Sequence, residues 1–246
     1  MSNLHNAFPK DFIDNNLMGP NVIKLAEEVA RQLSLTPGMK VLDLGCGKAL
    51  SSIYLAKEFG ATVFATDLWI PATENFERIK EMGVENLVYP IHAEAHALPY
   101  ADGFFDAIVC FDAYHYFGTD ERYLNDCLVK LLKKGGQIGM AIPGFSRELS
   151  SEELHGYGKY CESSACGEYG TEGGADALLG FHTKNWWQAF WSRINAVKDV
   201  RTWELTCNRA AWEDWVNCLS PIGQDDKAFF ENVNEIVTVG LIAKRS

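Results

Sequence analysis

No run of 18 or more apolar residues occurs anywhere in the 246-residue chain, so it offers no candidate membrane-spanning helix and is expected to be soluble, with no membrane partner. Clustered Lys and Arg are also missing. The basic residues are scattered singly and the formal charge is −11, which argues against a nucleic-acid partner, since phosphate backbones are held by basic patches. The seven cysteines (46, 110, 127, 161, 166, 207 and 218) form no CxxC pair and no Cys/His ligand spacing. Their odd number suits reduced thiols and a cytoplasmic location, with no metal. Met1 to Lys10 lack the basic start and apolar stretch of a secretory signal. A GxxxxGK[ST] phosphate loop is absent, which leaves phosphoryl transfer without support. No internal repeat or low-complexity tract is visible.

What is present is Asp43-Leu-Gly45-Cys46-Gly47, directly after the apolar run Met39-Lys-Val-Leu and just before a helical pattern. A strand that breaks at two glycines and restarts as a helix lets backbone N–H groups approach a ligand with no Cβ in the way. About 20 residues on, a second apolar run from Ala61 ends in Asp67, where a carboxylate can take both hydroxyls of a ribose.

The surrounding pattern alternates strand and helix. Apolar residues from Leu17 to Leu35 recur at helical spacing until Thr36-Pro37-Gly38. Strand 39–44, helix 48–59, strand 61–66 and a helix over about 72–82 follow, the helices stopped by Gly60 and Gly83. Strands are then expected at 87–91, 105–111 and 137–142, with a helix over 120–134. This order predicts an α/β fold: a doubly wound, Rossmann-like, seven-stranded and mostly parallel sheet with helices on both faces. Beyond Pro143 the rhythm changes. Residues 144–181 show little periodicity, Trp-rich helical patterns follow at 183–197 and 209–219, and strands are expected at 200–205 and 235–244. We therefore expect a single domain over 1–246, with a cofactor-binding core at 17–145, a helical cap region at 146–234 interleaved with strand 200–205, and 235–244 as the last strand.

A dinucleotide site wants a third glycine where this chain has Leu50. Asp43 would repel a pyrophosphate yet welcome an ammonium group, and S-adenosylmethionine carries one. Residues 17–145 resemble the class I S-adenosylmethionine-dependent methyltransferases, especially the small-molecule group that includes the ubiquinone and menaquinone enzymes. The resemblance rests on Val41-Leu-Asp-Leu-Gly-Cys-Gly, Asp67, Ala93-Glu94-Ala95, the stretch Phe105 to Tyr116, and Lys134-Gly135-Gly136. It implies that Asp43, Gly45, Cys46 and Gly47 hold the methionine half of the cofactor and that Asp67 holds the ribose. Leu68 and Trp69 would line the adenine pocket, Glu94 and Ala95 would meet the adenine edge, and Phe111 opens the loop facing cofactor and acceptor. Ala49 stands where relatives often carry a further glycine, and Glu94 replaces the usual Asp.

Methyl transfer from a sulfonium is an in-line displacement, so the site mainly aligns the acceptor and excludes water. If the acceptor must lose a proton, His115, just beyond the fourth strand, is the leading catalytic candidate; the alternative is a histidine that only packs locally. In the cap, Trp186, Trp187, Phe190 and Trp191, then Trp212 and Trp215, recur at helical offsets. They read first as core, with Trp187 or Trp191 as candidates to face a planar or cationic acceptor. Phe8 to Asn21 is either a loose tail or a cover for the cofactor. The expected activity is methyl transfer to a small-molecule acceptor. A nicotinamide-dependent oxidoreductase and a non-catalytic S-adenosylmethionine sensor stand as alternatives, and the oligomeric state is left open.

Overall fold

A computed structural model describes residues 8–160, 178–218 and 220–246. Of the aperiodic 144–181 stretch, 161–177 lie outside the described residues, as does Leu219 at the end of the second Trp-rich pattern. Seven strands form one sheet: β1 (Lys40–Leu44), β2 (Thr62–Asp67), β3 (Val88–His92), β4 (Phe105–Phe111), β5 (Leu132–Phe145), β6 (Val197–Glu204) and β7 (Ile236–Arg245). Their order is β3-β2-β1-β4-β5-β7-β6. Strands β1 to β5 pair in parallel, and β7 runs antiparallel to both β5 and β6. The expected seven-stranded, mostly parallel sheet is the one observed.

Side-chain alternation divides the core into two layers. Val41, Ala107, Val109, Phe111 and Ala141 face one cluster, while Leu42, Leu44, Ile108, Cys110, Ile138, Met140 and Ile142 face the other. Because both faces are covered, the central strands read as continuous apolar runs. Helices α1 (Lys10–Asn16), α2 (Val22–Ala30), α3 (Leu50–Phe59) and α4 (Ala72–Glu81) contribute buried residues to the first layer. So do the later helices α7 (Asn208–Val216) and α8 (Pro221–Asn232). Helix α6 (Lys184–Ser192) covers the second. Asn21 caps α2 by accepting from the Ile23 amide at 3.1 Å. Gly60 ends α3 in the left-handed conformation at φ 62°.

The structure differs from the sequence pattern in four places. The leading helix is shorter than 17–35, running over Val22–Ala30 as α2, and a separate short helix, α1, precedes it across the Met18-Gly19-Pro20 turn. The helix expected over 120–134 is a wide π turn at Tyr123–Leu128 and a 3-10 turn at Val129–Leu131. Strand β5 then begins at Leu132, paired with Phe105, while Gln137 pairs with Ala107, so the intervening residues bulge through Gly135 at φ 73°. Two helices went unread, α5 (Ser151–Gly158) and α8. Both carried start signals: a reciprocal Ser150–Glu153 capping box for α5 and Ser220-Pro221 for α8.

Candidate functional site

The strand order reverses at β1, whose neighbours are β2 and β4, and in open α/β sheets ligands bind at the carboxyl end of such a switch point. A cavity of about 360 Å³ lies there. At its floor, Gly45 and Gly47 have φ of 70° and 52°. A Cβ on Gly45 would stand 2.4 Å from the Ala113 Cβ, so glycine is required both for backbone conformation and for the approach of the β1 and β4 loops. The Gly45 and Cys46 amides donate to the Thr66 carbonyl at 2.8 and 3.2 Å. Ala49 enters α3 at φ 63°, a left-handed conformation in a non-glycine residue.

Asp67 is 7% exposed and lines the cavity. Its Oδ2 accepts from the Gly47 amide at 2.8 Å, and its Oδ1 accepts from the Trp69 and Ile70 amides at 2.8 and 3.0 Å. A carboxylate has about four acceptor positions, so capacity is left for a ligand hydroxyl. Asp43 is placed differently. It is fully buried, it does not line the cavity, and Ser51 and Ser52 at the start of α3 both donate to its Oδ2 at 2.6 Å. Burial pushes its carboxyl up to about 6 against the pull of those two hydroxyls. It braces the loop from beneath.

Gly45, Cys46, Gly47, Asp67, Leu68, Trp69, Glu94, Ala95, Phe111 and His115 all line the one cavity. Leu68 is 52% exposed at its mouth, and the Trp69 ring meets Tyr116 edge-on at 5.4 Å. The Glu94 carboxylate is turned along its own loop, accepting from the His96 amide at 2.8 Å and contacting the His96 ring at 2.7 Å. From the N-terminal side, Met18 covers the loop, its Sδ 3.1 Å from where a Gly47 Cβ would stand. Asn16, Met18, Gly19 and Pro20 line the cavity.

His115 is 8% exposed, packed against Tyr116 at 3.9 Å and against the edge of Phe181 at 5.2 Å, and its Nδ1 has no partner. Burial pushes the imidazole down to about 3, so the ring is neutral at ordinary pH. Trp187 and Trp191 are fully buried in the second core layer and line no part of the cavity, which corrects their candidacy for the acceptor site: their helix lies against β6 and β7. Trp212, with Phe229 of α8, lines the cavity instead.

Sequence reasoning also passed over two acids. Asp112, directly after β4, sits at φ 61° with its amide donating to the Ala141 carbonyl at 2.8 Å. Burial, with the nearby Asp226 charge, pushes its carboxyl up to about 8. Asp226, on α8, accepts from the Trp215 indole at 2.8 Å, and burial pushes it up to about 6. Both line the cavity. Among the described residues, no group of three or more His, Cys, Asp or Glu side chains could hold a metal.

A glycine-loop cavity at the switch point of a β3-β2-β1-β4-β5-β7-β6 sheet defines a Rossmann-like ligand-binding fold. Residues 42–140 match the family model described as "Methyltransferase domain". Methyltransferase GfsG of Streptomyces halstedii is 29% identical over 138 residues, covering 54% of this chain and 49% of that one. The demethylmenaquinone methyltransferase of Listeria welshimeri is 31% identical over 140 residues, covering 52% and 58%. The chain thus spans about half the length of these curated relatives. Among solved structures, phosphoethanolamine N-methyltransferase 2 of Haemonchus contortus, in complex with S-adenosyl-L-methionine, superposes with a TM-score of 0.70 at 16% identity. It covers 96% of this chain and 55% of that one, a likeness of fold.

Proposed function

We propose that this protein is an enzyme that transfers a methyl group from S-adenosylmethionine to a small-molecule acceptor. The observation that carries this reading is the continuity of one cavity, from the Gly45–Gly47 loop and Asp67 at one end to Trp212 and Phe229 at the other. The residues fit the donor. The loop has the positive φ angles and tight approach that a close-lying ligand backbone needs, and Asp67 retains acceptor capacity for ribose hydroxyls. Leu68, Trp69 and Ala95 supply apolar walls for the adenine, and Glu94 reaches its edge once turned from His96. Asp43 acts through Ser51 and Ser52 by fixing the loop.

The bound donor supplies a methyl group on positively charged sulfur. The chain's own residues align the acceptor beneath Phe111 and keep water out, which is most of what an in-line displacement asks of a protein. His115, as a neutral imidazole, orients the acceptor by hydrogen bonding; with its proton affinity lowered by burial, it is a weak base. From the cap region, Leu178, Phe181, Trp212 and Phe229 are the apolar walls that read the acceptor. A cytoplasmic setting agrees with free thiols at all five described cysteines.

Calorimetric titration with S-adenosylmethionine tests the donor site, and a labelled methyl donor offered with a metabolite pool tests turnover. Saturable binding with a labelled small-molecule product is expected. Binding of a nicotinamide dinucleotide in its place would overturn the reading, and donor binding with no labelled product would leave only a sensor.

A further inference from the structure

We propose that the acceptor is a compact amine, bound as its cation between Asp112 and Asp226 against the Trp212 ring, and that Asp112 takes the ammonium proton before attack. This rests on the methyl-transfer reading of the same cavity and adds the substrate class and the base.

Two carboxylates from distant parts of the chain, one in the loop after β4 and one on α8, open into the same cavity. Asp226 has the Trp215 indole as donor, whereas no hydrogen bond from a described residue reaches the Asp112 carboxylate. A half-buried carboxylate in a cavity wall with no protein donor keeps its acceptor positions for a cation or hydrogen-bond donor that enters. The residue is also held in the left-handed region, at φ 61°, a local strain that persists where the surroundings enforce it and that clusters at ligand sites.

A second group at the same end points to a ligand independently. His115 lines the cavity while 8% exposed, and its buried Nδ1 has no partner, so an unsatisfied imidazole stands beside the acids. The walls suit a cation: Trp212 lines the cavity and is stacked on its far side by Phe230, with ring planes 3° apart. An indole face attracts an ammonium group. Among the described lining residues the one Lys or Arg is Lys48, at the donor end, where its Nζ reaches the Asn15 carbonyl at 3.3 Å. An amine with a phosphate or carboxylate tail would therefore meet two acids at this end and no counter-cation, which restricts the class to amines without an acidic group.

The titratable groups around Asp112 are Asp226 from α8, His115 from the same loop and the buried Cys110 of β4. With Asp112 pushed up to about 8 and Asp226 to about 6, the empty pair carries about one negative charge near neutral pH, held by Asp226; an arriving ammonium group favours the ionised form of Asp112, whose proton leaves to solvent, so that Asp112 meets the bound cation as a carboxylate. The ammonium gives a proton to the Asp112 carboxylate. The nitrogen lone pair then forms the C–N bond while the C–S pair passes to sulfur, leaving S-adenosylhomocysteine and a methylated ammonium. The proton on Asp112 leaves to solvent with the product.

The test uses the full chain and its Asp112→Asn and Asp226→Asn variants; Asn also tolerates the left-handed conformation. Choline and its neutral isostere 3,3-dimethylbutan-1-ol are titrated calorimetrically, with and without S-adenosylhomocysteine. We expect choline to bind at least about tenfold tighter than the isostere and each variant to lose most of that preference while keeping its affinity for S-adenosylhomocysteine. Equal binding of the two probes, binding of neither, or an unchanged preference in Asp112→Asn overturns the proposal. Absent S-adenosylhomocysteine binding instead overturns the donor reading, and the donor-free titration still decides this one. Labelled methyl transfer to a panel of two- to eight-carbon amines checks the base. Asp112→Asn should lower kcat by about a hundredfold at pH 7.5 and recover much of that loss near pH 10, where a substantial fraction of the amine is deprotonated. No transfer to any amine, or no recovery, removes that role.

Discussion

The Gly47 amide donates to Asp67 Oδ2 at 2.8 Å, tying the glycine loop to the tip of the neighbouring strand across 20 residues of sequence. With the Trp69 and Ile70 amides on Oδ1, one carboxylate fixes the two segments that frame the donor end of the cavity. Asp67→Ala leaves three backbone donors without their acceptor and removes the charge-assisted bonds offered to a ribose. Donor affinity should fall by about 1–3 kcal/mol and stability by a similar amount. Calorimetry with S-adenosylmethionine and thermal melts would measure the two losses, and an unchanged affinity would take Asp67 out of the site.

Gly19 lies so close to Asp112 that a Cβ there would stand 2.3 Å from Oδ2. The N-terminal turn can close over the cavity only because that Cβ is missing. Gly19→Ala must move either the carboxylate or the Met18–Pro20 turn, at a cost of about 1–3 kcal/mol. The cost should largely vanish in an Asp112→Gly background, where the obstacle is gone and φ 61° suits glycine. A double-mutant cycle on melting temperature reads this directly; additive losses would mean that the two residues do not touch.

Asp112 also sets a pH dependence. Its carboxyl stands near 3.8 when free and is pushed up to about 8 in the fold. Between those values the unfolded chain has released a proton that the folded chain keeps, so this group's contribution to stability falls as pH rises from about 4 and levels off above about 8. Asn does not titrate. Asp112→Asn should therefore gain on the wild type with rising pH, by on the order of 1–3 kcal/mol at pH 8 after allowance for the partial exposure of the group. Melting temperatures of both proteins from pH 4 to 9 would measure it, and parallel curves would count against a raised carboxyl.

The glycine loop and Asp67 were legible in the sequence because their chemistry is local: positive φ selects glycine, and a ribose acid ends the adjacent strand. Asp112 was not, because its character comes from a left-handed φ and from Asp226, which reaches the cavity from α8 near the other end of the chain. Asp43 was legible as important but not in its role. Strand alternation sends it into the first core layer, where the α3 hydroxyls of Ser51 and Ser52 receive it. The helices of the cap were half-read for a similar reason. Periodicity tells which face of a helix is buried, and nothing local tells whether that face meets a core or a cavity.

Trp187 and Trp212 separate those two outcomes. Trp187 is fully exposed to packing and hidden from solvent, with its ring 5.8 Å from Tyr114 in the second core layer. Its replacement by Leu leaves a void within that layer, and Trp187 itself is no part of the cavity wall. Trp187→Leu should lower stability by about 3–5 kcal/mol and leave the acceptor KM of the remaining folded protein unchanged. Trp212 is stacked on Phe230 and also lines the cavity, so Trp212→Leu should raise acceptor KM by about tenfold with donor affinity retained. Steady-state kinetics on both variants, once an acceptor is in hand, would read the contrast. A raised KM in Trp187→Leu with an unchanged one in Trp212→Leu would move the acceptor site to the opposite face of the sheet.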